Sequence, residues 1–375
     1  MTSCQSWVEI SRSALLNNLN VLEQLAGDRV TVAPVIKANA YGHGLRLCAE
    51  ILAHAGTRIV CVNEVAEAET LKDLPLDVYV VGPTFASDAK GIVDAGCQVV
   101  TSSQAHVDAI ASHAHAQGKV VALHVKVETG THRQGLPPEQ AVELITHIGQ
   151  SDGVVVAGVT THLADVEDET EHTYAGTQLS RFQEFIENLP TGMLHHCGAS
   201  AAHLVLPNSR YDMVRTGIAL YGLWPSRETE IAASIVHGTA PKLKPVLTWK
   251  TRIAQLSDVK RGAYVGYGRS ERMAADSRLA LLPVGYYDGY DRHLSGQSAV
   301  LIAGKRAPVV GRVCMNMVMV DVTAFSGLQV GDDVTLLGGD QMDTISAEEM
   351  ADWIGTINYE VVTRIHDRLP RIEVE

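Results

Sequence analysis

QVVTSSQAHVDAIASHAHAQGKVVALHVKV, residues 98–127, contains one complete strand–helix–strand unit. Its two ends, Gln98–Thr101 and Val120–Val127, are short runs rich in valine, as is typical of buried parallel strands. Between them, Val107, Ile110 and Ala114 recur at the spacing of one helix face. Since parallel strands need a crossover connection of this kind, the segment predicts a parallel sheet covered by helices.

The same alternation extends from Val32 to about Gly222, with eight candidate strands in total. The six further strands are Val32–Lys37, Ile59–Val62, Val78–Val81, Val154–His162, Leu194–Cys197 and Met213–Gly217. Apolar residues at helical spacing separate several of them, as in Leu45–Leu52 and Ala141–Ile148. Eight β/α repeats predict an α/β fold with an N-terminal (β/α)8 barrel of the TIM type. A doubly wound sheet is the alternative, although it usually has fewer strands.

After about Ala240 the pattern changes to short β-rich runs punctuated by glycine. The runs are Val246–Leu256, Leu279–Val284, Ala299–Ile302, Pro308–Val313, Met317–Val322 and Val334–Leu337. One clear helical stretch follows, near Ala347–Ile354. A chain of 375 residues exceeds the usual single core. We therefore expect a barrel domain over residues 1–235 and a mostly-β C-terminal domain over residues 236–375, joined through Trp224–Lys244.

The composition is that of an ordinary globular protein, with 46% hydrophobic and 19% charged residues. A net charge of -13 argues against a nucleic-acid partner or an anionic membrane surface. The N-terminal residues show no basic region followed by an apolar one, so no secretion signal is expected, and no apolar run reaches the length of a membrane span. Six cysteines are scattered without paired spacing, which favours reduced thiols in the cytoplasm. The acidic run Asp165–Glu171 is interpreted as a solvated loop.

The C-terminal ends of barrel strands normally carry the active residues, and here those positions are basic or hydroxylic. They are Lys37, Lys126, Arg133, His162, Ser200 and Arg215, with the backbone N–H groups of Gly217 and Ile218. This set suits an anionic, electrophilic cofactor, and it lacks the carboxylates or histidines of a metal site, so no metal is expected. Burial frees a lysine amine for a Schiff base, and N–H groups with a hydroxyl suit a phosphate. Each residue alone also has a structural interpretation, such as pairing of Arg215 with an acidic neighbour.

Six motifs in order along nearly the whole chain resemble those of alanine racemases. They are Val35–Gly44 (VIKANAYGHG), Asp212–Gly222 (DMVRTGIALYG), Val265–Gly268 (VGYG), Pro283–Tyr286 (PVGY), Gly311–Met315 (GRVCM) and Thr356–Glu360 (TINYE). The resemblance implies a pyridoxal 5′-phosphate (PLP) enzyme that interconverts L- and D-alanine by a two-base mechanism and supplies D-alanine for peptidoglycan. It also implies a homodimer with shared active sites.

The resemblance assigns a role to each motif residue. Lys37 binds PLP and serves the D-face of the substrate, while Tyr267, reaching in from the partner subunit, serves the L-face. Arg215 faces the pyridine nitrogen and keeps it unprotonated, because arginine itself stays protonated. Tyr41, Ser200, Gly217, Ile218 and Tyr359 are assigned to the phosphate, and His162 to cofactor binding and to support of the catalytic tyrosine. Arg133 is assigned to the PLP phenolic oxygen and the substrate carboxylate, and Met315 to the substrate carboxylate. Tyr286 is assigned to the substrate entrance, and Lys126 is a candidate carbamylation site.

Some positions depart from the commoner family forms: Ala199 replaces asparagine, Thr131-His132 replaces Met-Gly, Asn316 replaces aspartate, and Gly266 replaces serine. None removes a proton-transfer group. The alternatives are a serine-accepting or broader-spectrum racemase, a PLP decarboxylase of the same architecture, and a non-catalytic PLP carrier.

Overall fold

The computed structural model describes residues 5–167, 171–339 and 342–375. The chain divides into two compact units. The barrel unit comprises Ala14–Ala40 and Cys48–Lys244, and the β unit comprises Pro245–Glu375, Tyr41–Leu47 and the N-terminal residues up to Ser13. Strand β1 (Ser6–Ser11) comes first in the chain and is followed by helix α1 (Arg12–Ala26).

All eight predicted barrel strands are present, and every pairing among them is parallel. They are β2 (Thr31–Pro34), β3 (Ile59–Val62), β4 (Asp77–Val80), β5 (Gln98–Thr101), β6 (Val121–Lys126), β7 (Val154–Thr160), β8 (Leu194–His196) and β9 (Met213–Thr216). Strands β3 to β8 form one sheet in chain order, and β2 pairs with β9. The ring closes through a bridge from Val35 to Cys61 and a hydrogen bond from the Asp212 N–H to the His195 carbonyl. The barrel prediction is thus confirmed over the doubly wound alternative.

Helices flank the barrel strands with their apolar faces buried, as in the predicted sets around Val107 and Leu144. They are α2 (Leu45–His54), α3 (Val65–Glu69), α4 (Ala89–Ala95), α5 (Gln104–Ala116), α6 (Pro138–Gly149), α7 (Thr173–Glu187), α8 (Ser200–Val205) and α9 (Arg227–His237). Helix α9 lies in the segment expected to be a plain connection. The sequence contains the two residue types that commonly bound a helix, a serine at its start and a glycine after its end. In the structure, the Ser226 hydroxyl accepts the Thr229 N–H at 2.9 Å, and Gly238 ends the helix in the left-handed region.

The β unit contains one large sheet and a separate hairpin. Its elements are β10 (Leu247–Arg252), β11 (Gln255–Val259), β12 (Tyr264–Val265), β13 (Glu271–Arg272), β14 (Ser277–Leu282), β15 (Ala299–Ile302), β16 (Lys305–Val310), β17 (Val318–Asp321), β18 (Asp333–Gly339), β19 (Thr344–Ile345), β20 (Arg371–Val374), α10 (Ala347–Ile354) and α11 (Asn358–Thr363). The sheet order is β11-β14-β17-β16-β15-β18-β10-β1-β20, with β19 on β18, and β12 pairs with β13. A mostly-β C-terminal part is therefore confirmed.

The N-terminal strand differs from the expected division at residue 235. Strand β1 pairs antiparallel with β10 and parallel with β20, and its Val8 and Ile10 side chains are fully buried. The N-terminus therefore belongs to the β unit, since its backbone donors and acceptors are satisfied there. Short 3-10 helices complete the fold at Ala86–Asp88, Pro207–Ser209, Ile218–Tyr221, Tyr267–Arg269, Tyr286–Asp288 and Arg292–Leu294. Across the described ranges, no helix combines the length and apolarity needed to cross a bilayer.

Candidate active site

Lys37 stands three residues after the end of β2, at the start of a left-handed turn. The next residues, Ala38, Asn39, Ala40 and Tyr41, have φ of 54°, 54°, 54° and 52°. Each such residue without the freedom of glycine costs about 1–2 kcal/mol. The Ala38 N–H donates to Glu67 Oε1 at 2.7 Å, which helps to hold the turn. Backbone strain is thus concentrated beside the predicted cofactor lysine, as is common at functional sites.

Four cationic side chains lie close enough to influence one another in the barrel unit. Burial and the Arg133 charge lower the pKa of Lys37, while the Glu67 carboxylate opposes this shift. Lys126 is only 8% exposed, and burial followed by the charges of Arg215 and Arg133 lowers its pKa to about 7. Its Nζ donates to Gln134 Oε1 at 3.2 Å. The cluster therefore attracts anions and contains lysines with unusually accessible neutral amines.

Arg215 on β9 is held by neutral acceptors. Its terminal nitrogens donate to Thr160 Oγ1 at 3.2 Å, to the Thr161 carbonyl at 3.1 Å, to the Cys197 carbonyl at 3.2 Å, and to Nδ1 of His196. Among the described residues, its Nε–H has no acceptor. The sequence left open that Arg215 forms an ion pair with an acidic neighbour, and among the described residues it does not. Arg215 keeps its charge and one N–H for a ligand.

His162 and Arg133 line a cavity of about 280 Å³ together with Cys197, Ala199, Ala201 and Ala202. Burial and the charges of Arg215 and Lys126 lower the pKa of His162 to about 3, so its ring is neutral. The cavity thus places a neutral histidine beside the Arg133 cation, and Glu167 also lines it.

The segment leading to Arg133 is anchored by one carboxylate. Glu128 accepts the N–H groups of Thr131 at 2.6 Å and His132 at 2.9 Å, and that of Gly130 as well. Burial opposes ionisation, yet these backbone N–H groups lower the pKa of Glu128 overall. His132, where the family more often has glycine, lies at φ 52°. This departure therefore places a strained side chain next to Arg133.

Ser200, Gly217 and Ile218 meet at the end of β9, as predicted. The buried Ser200 Oγ accepts the Gly217 N–H at 2.8 Å and the Ala219 N–H at 3.4 Å. Ile218 starts a 3-10 helix, so its N–H has no acceptor inside that helix. A hydroxyl beside a helix-starting N–H fits the phosphate of PLP.

Tyr41 and Tyr359 are neighbours in the β unit, with ring centroids 6.2 Å apart. Their approach depends on Gly42, which has φ +82° and whose hypothetical Cβ would lie 2.0 Å from the Val362 carbonyl oxygen. The two predicted phosphate-binding tyrosines are therefore brought together by a close backbone contact.

Tyr267, Tyr286 and Met315 lie on loops that contact one another within the β unit. A Cβ on Gly268 would lie 2.6 Å from Arg312 Nη1, and one on Gly285 would lie 2.2 Å from the Cys314 carbonyl oxygen. The Tyr286 N–H donates to that same carbonyl at 3.1 Å. Gly266, a departure from the family serine, has φ +72°. Tyr267 itself is 73% exposed.

Three polar residues that contact this site belong to none of the motifs in the sequence. They are Glu67, which holds the turn after Lys37, and His196 and His124, which lie behind Arg215. His196 lies in a predicted strand and could have been noted. Glu67 lies in a short helix with no distinguishing pattern, and its contact with Ala38 depends on the fold.

A closed barrel with a strained lysine turn, a cationic mouth and a hydroxyl beside a helix-starting N–H defines a class of enzymes that hold an anionic carbonyl cofactor on a barrel lysine. The family is identified by direct comparison. Residues 10–225 match the model of the alanine racemase N-terminal domain, and residues 246–373 match that of the alanine racemase C-terminal domain. The chain belongs to the alanine racemase family.

Individual relatives agree with this assignment. An alanine racemase of Leptospira interrogans is 35% identical over 378 residues, covering 99% of this chain and 96% of the relative. The solved alanine racemase of Clostridium difficile 630 is 29% identical with a TM-score of 0.92, covering 100% of this chain and 97% of that one. That of Bartonella henselae, with covalently bound pyridoxal phosphate, is 27% identical with a TM-score of 0.84 and 99% coverage of both chains.

Proposed function

We propose that this chain is a PLP-dependent alanine racemase that interconverts L- and D-alanine. The observation that carries the proposal is the cationic mouth around Lys37, in which Arg215 has only neutral acceptors, within a chain that matches both family domains. Lys37 would hold PLP covalently, as the relative from Bartonella henselae holds it. Ser200, Gly217 and Ile218 would hold its phosphate, with Tyr41 and Tyr359 as further ligands.

When bound, PLP withdraws electrons from the substrate and makes its α-hydrogen acidic. Lys37 would carry a proton on Nζ at the D-face, and its lowered pKa makes the neutral, accepting amine more accessible than in a solvated lysine. Tyr267 would carry a proton on its hydroxyl at the L-face. Arg215 would direct its Nε–H at the pyridine nitrogen and retain its own proton, which disfavours side reactions that need a protonated pyridine.

The position of Tyr267 supports a homodimer in which each subunit completes the site of the other. Its side chain is largely exposed, and Tyr264, Met317 and Ile357 in the same unit are also exposed. Exposed apolar groups of this kind favour a protein interface. Mixing Lys37→Ala with Tyr267→Phe subunits tests the arrangement: shared sites restore about a quarter of wild-type activity, since half of the dimers are mixed and each has one intact site. Sites contained within one subunit restore none.

The substrate range follows from the entrance residues. Tyr286 and Tyr359 would restrict the mouth to small side chains, so alanine is the main substrate and serine, which adds one hydroxyl, is turned over slowly. A decarboxylase is disfavoured because no carboxylate pairs with Arg215 among the described residues, and a carrier is disfavoured because the chain has the β unit with Tyr267. The five described cysteines are unpaired, which suits a reducing compartment such as the cytoplasm. We further propose that the product D-alanine is supplied for peptidoglycan.

The direct experiment measures D-alanine formed from L-alanine by the purified, PLP-loaded protein. Wild type should racemise alanine in both directions, Lys37→Ala should be inactive, and Tyr267→Phe should lose kcat/KM equally from L to D and from D to L, because each direction needs both proton-carrying groups and the equilibrium constant is one. Binding of PLP without any turnover of alanine would refute the proposed substrate.

A further inference from the structure

A row of buried polar side chains continues behind Arg215 into the barrel interior. An Arg215 terminal nitrogen contacts Nδ1 of His196, the Nε2 of His196 lies 2.9 Å from Nδ1 of His124, and the Nε2 of His124 lies 2.9 Å from Gln98 Oε1. Both histidines have no exposed surface. The proposed chemistry uses only Arg215, so the remaining three residues, here called the histidine relay, need their own explanation.

The direction of every hydrogen bond in the histidine relay follows from Arg215. Because arginine is always protonated, it must donate, and Nδ1 of His196 must accept. The proton of His196 is therefore on Nε2 and is donated to Nδ1 of His124. By the same logic His124 carries its proton on Nε2 and donates it to Gln98. Both rings are thus neutral Nε2–H tautomers, and no other assignment satisfies all three contacts.

The electrostatics agree with neutral rings. Burial and the Arg215 charge lower the pKa of His124 to about 3 and lower that of His196 well below its ordinary value. Lys126, His195 and the partner ring add to the shift at His196. Arg215 is consequently oriented without being neutralised.

The backbone is shaped to accommodate the relay. The pairing of β6 with β7 shifts register between Leu123 and His124, which places Gly158 opposite His124. A Cβ on Gly158 would lie 2.7 Å from Nδ1 of His124 and 2.7 Å from the Leu194 carbonyl oxygen. The Tyr79 ring also packs against the His124 ring, with centroids 4.2 Å apart. The register shift and the glycine thus make room for the His124 ring.

We propose that His196 and His124 are positioning residues that orient the Arg215 guanidinium through hydrogen bonds of fixed direction, so that its Nε–H stays available to the pyridine ring of the cofactor. The consequence for the cofactor rests on the proposed function, whereas the relay itself does not. Protonation of either histidine reverses a hydrogen bond and removes His196 as one of the acceptors of Arg215.

The first test is made on the cofactor-free protein, labelled with 15N at histidine. Two-bond 1H–15N spectra at pH 7, assigned with His196→Asn and His124→Asn, should show both rings as neutral Nε2–H tautomers. An Nδ1–H or doubly protonated form of either ring overturns the relay. This readout does not depend on any activity, so a failure of the racemase assignment leaves it intact.

The second test uses a matched pair at one position. In His196→Asn, the amide oxygen takes the place of Nδ1 and still accepts from Arg215, whereas His196→Leu offers no acceptor. PLP affinity should fall about 10- to 100-fold in His196→Leu, as expected for loss of a hydrogen bond to a charged group, and should recover most of that loss in His196→Asn. His106→Asn, at a buried histidine bonded to Thr101, is the control for general damage.

A remote variant keeps the proposal testable if His196→Leu does not fold. Gln98→Glu places a carboxylate at the end of the relay, which favours protonated His124 and a reversed His196. It should weaken PLP binding in the same way as His196→Leu, whereas Gln98→Asn should not. Equal PLP affinities in wild type, His196→Leu and Gln98→Glu would overturn the positioning role.

Discussion

Replacement of Lys126 by methionine should stabilise the cofactor-free protein, and the gain should depend on pH. Lys126 is buried among Arg215, Arg133 and Lys37, and its pKa falls from 10.5 to about 7 on folding. Between these two values the unfolded chain binds more protons than the folded one, so the cost of burying this lysine is full below pH 7 and fades as the pH approaches 10.5. One pKa unit corresponds to about 1.4 kcal/mol, which gives a cost of about 4 kcal/mol at pH 7.

Lys126→Met removes this cost and loses the hydrogen bond to Gln134, worth about 1 kcal/mol. The expected net gain is about 3 kcal/mol at pH 7, and it should shrink by about 2 kcal/mol between pH 7 and pH 9. Urea unfolding of the cofactor-free protein in bicarbonate-free buffer measures it, with Lys72→Met at an exposed lysine as the control. A variant that is less stable than wild type, or a gain that is the same at both pH values, would refute the reasoning.

The same experiment decides whether Lys126 is carbamylated. A neutral amine attacks CO2, the new N–C bond forms with loss of one proton, and the product carries a negative charge. A carbamate would be stabilised by the three surrounding cations, so bicarbonate should stabilise wild type and should not affect Lys126→Met. If Lys126 stays a plain amine, bicarbonate changes neither protein, and carbamylation is excluded.

Three further predictions concern backbone conformation and the turn after Lys37. His132→Gly should raise the free energy of unfolding by about 1 kcal/mol, because it relieves a residue at φ 52°, and chemical denaturation would detect the opposite sign. Gly42→Ala should destabilise by about 3 kcal/mol or more through its 2.0 Å approach to the Val362 carbonyl, while Gly27→Ala, at φ +76° in open space, should cost only about 1 kcal/mol; equal losses would disprove the steric argument. Glu67→Gln should lower the melting temperature and the pKa of Lys37, since one amide cannot accept from both Ala38 and Asn63; an unchanged Lys37 titration would contradict this.

The repeating parts of the fold were predictable because their signals are local. The eight barrel strands follow from valine-rich runs at regular intervals, and the structure changes their ends rather than their order. Val32–Lys37 ends as a strand at Pro34 because the left-handed turn begins at Lys37, a conformation that no apolar pattern indicates. The assignment of β1 to the β unit was equally inaccessible, since its partner β10 lies more than 230 residues away along the chain.

The candidate site shows the same division between local and long-range information. Lys37, Ser200 and Arg215 could be found because barrel topology brings the ends of separate strands to one rim, so position along a strand predicts proximity. The polar residues behind these three could not be predicted, because their role depends on which side-chain atom makes each hydrogen bond. His196 is notable in the sequence only as one of two adjacent histidines, and the structure uses them differently: His195 contacts Asp212, whereas His196 accepts from Arg215. Because alternate residues of a strand point to opposite sides, one histidine has a carboxylate partner and the other a cation. That difference leaves His196 neutral, and its Nδ1 lone pair accepts a hydrogen bond from the Arg215 guanidinium, whose positive charge the proposed chemistry requires.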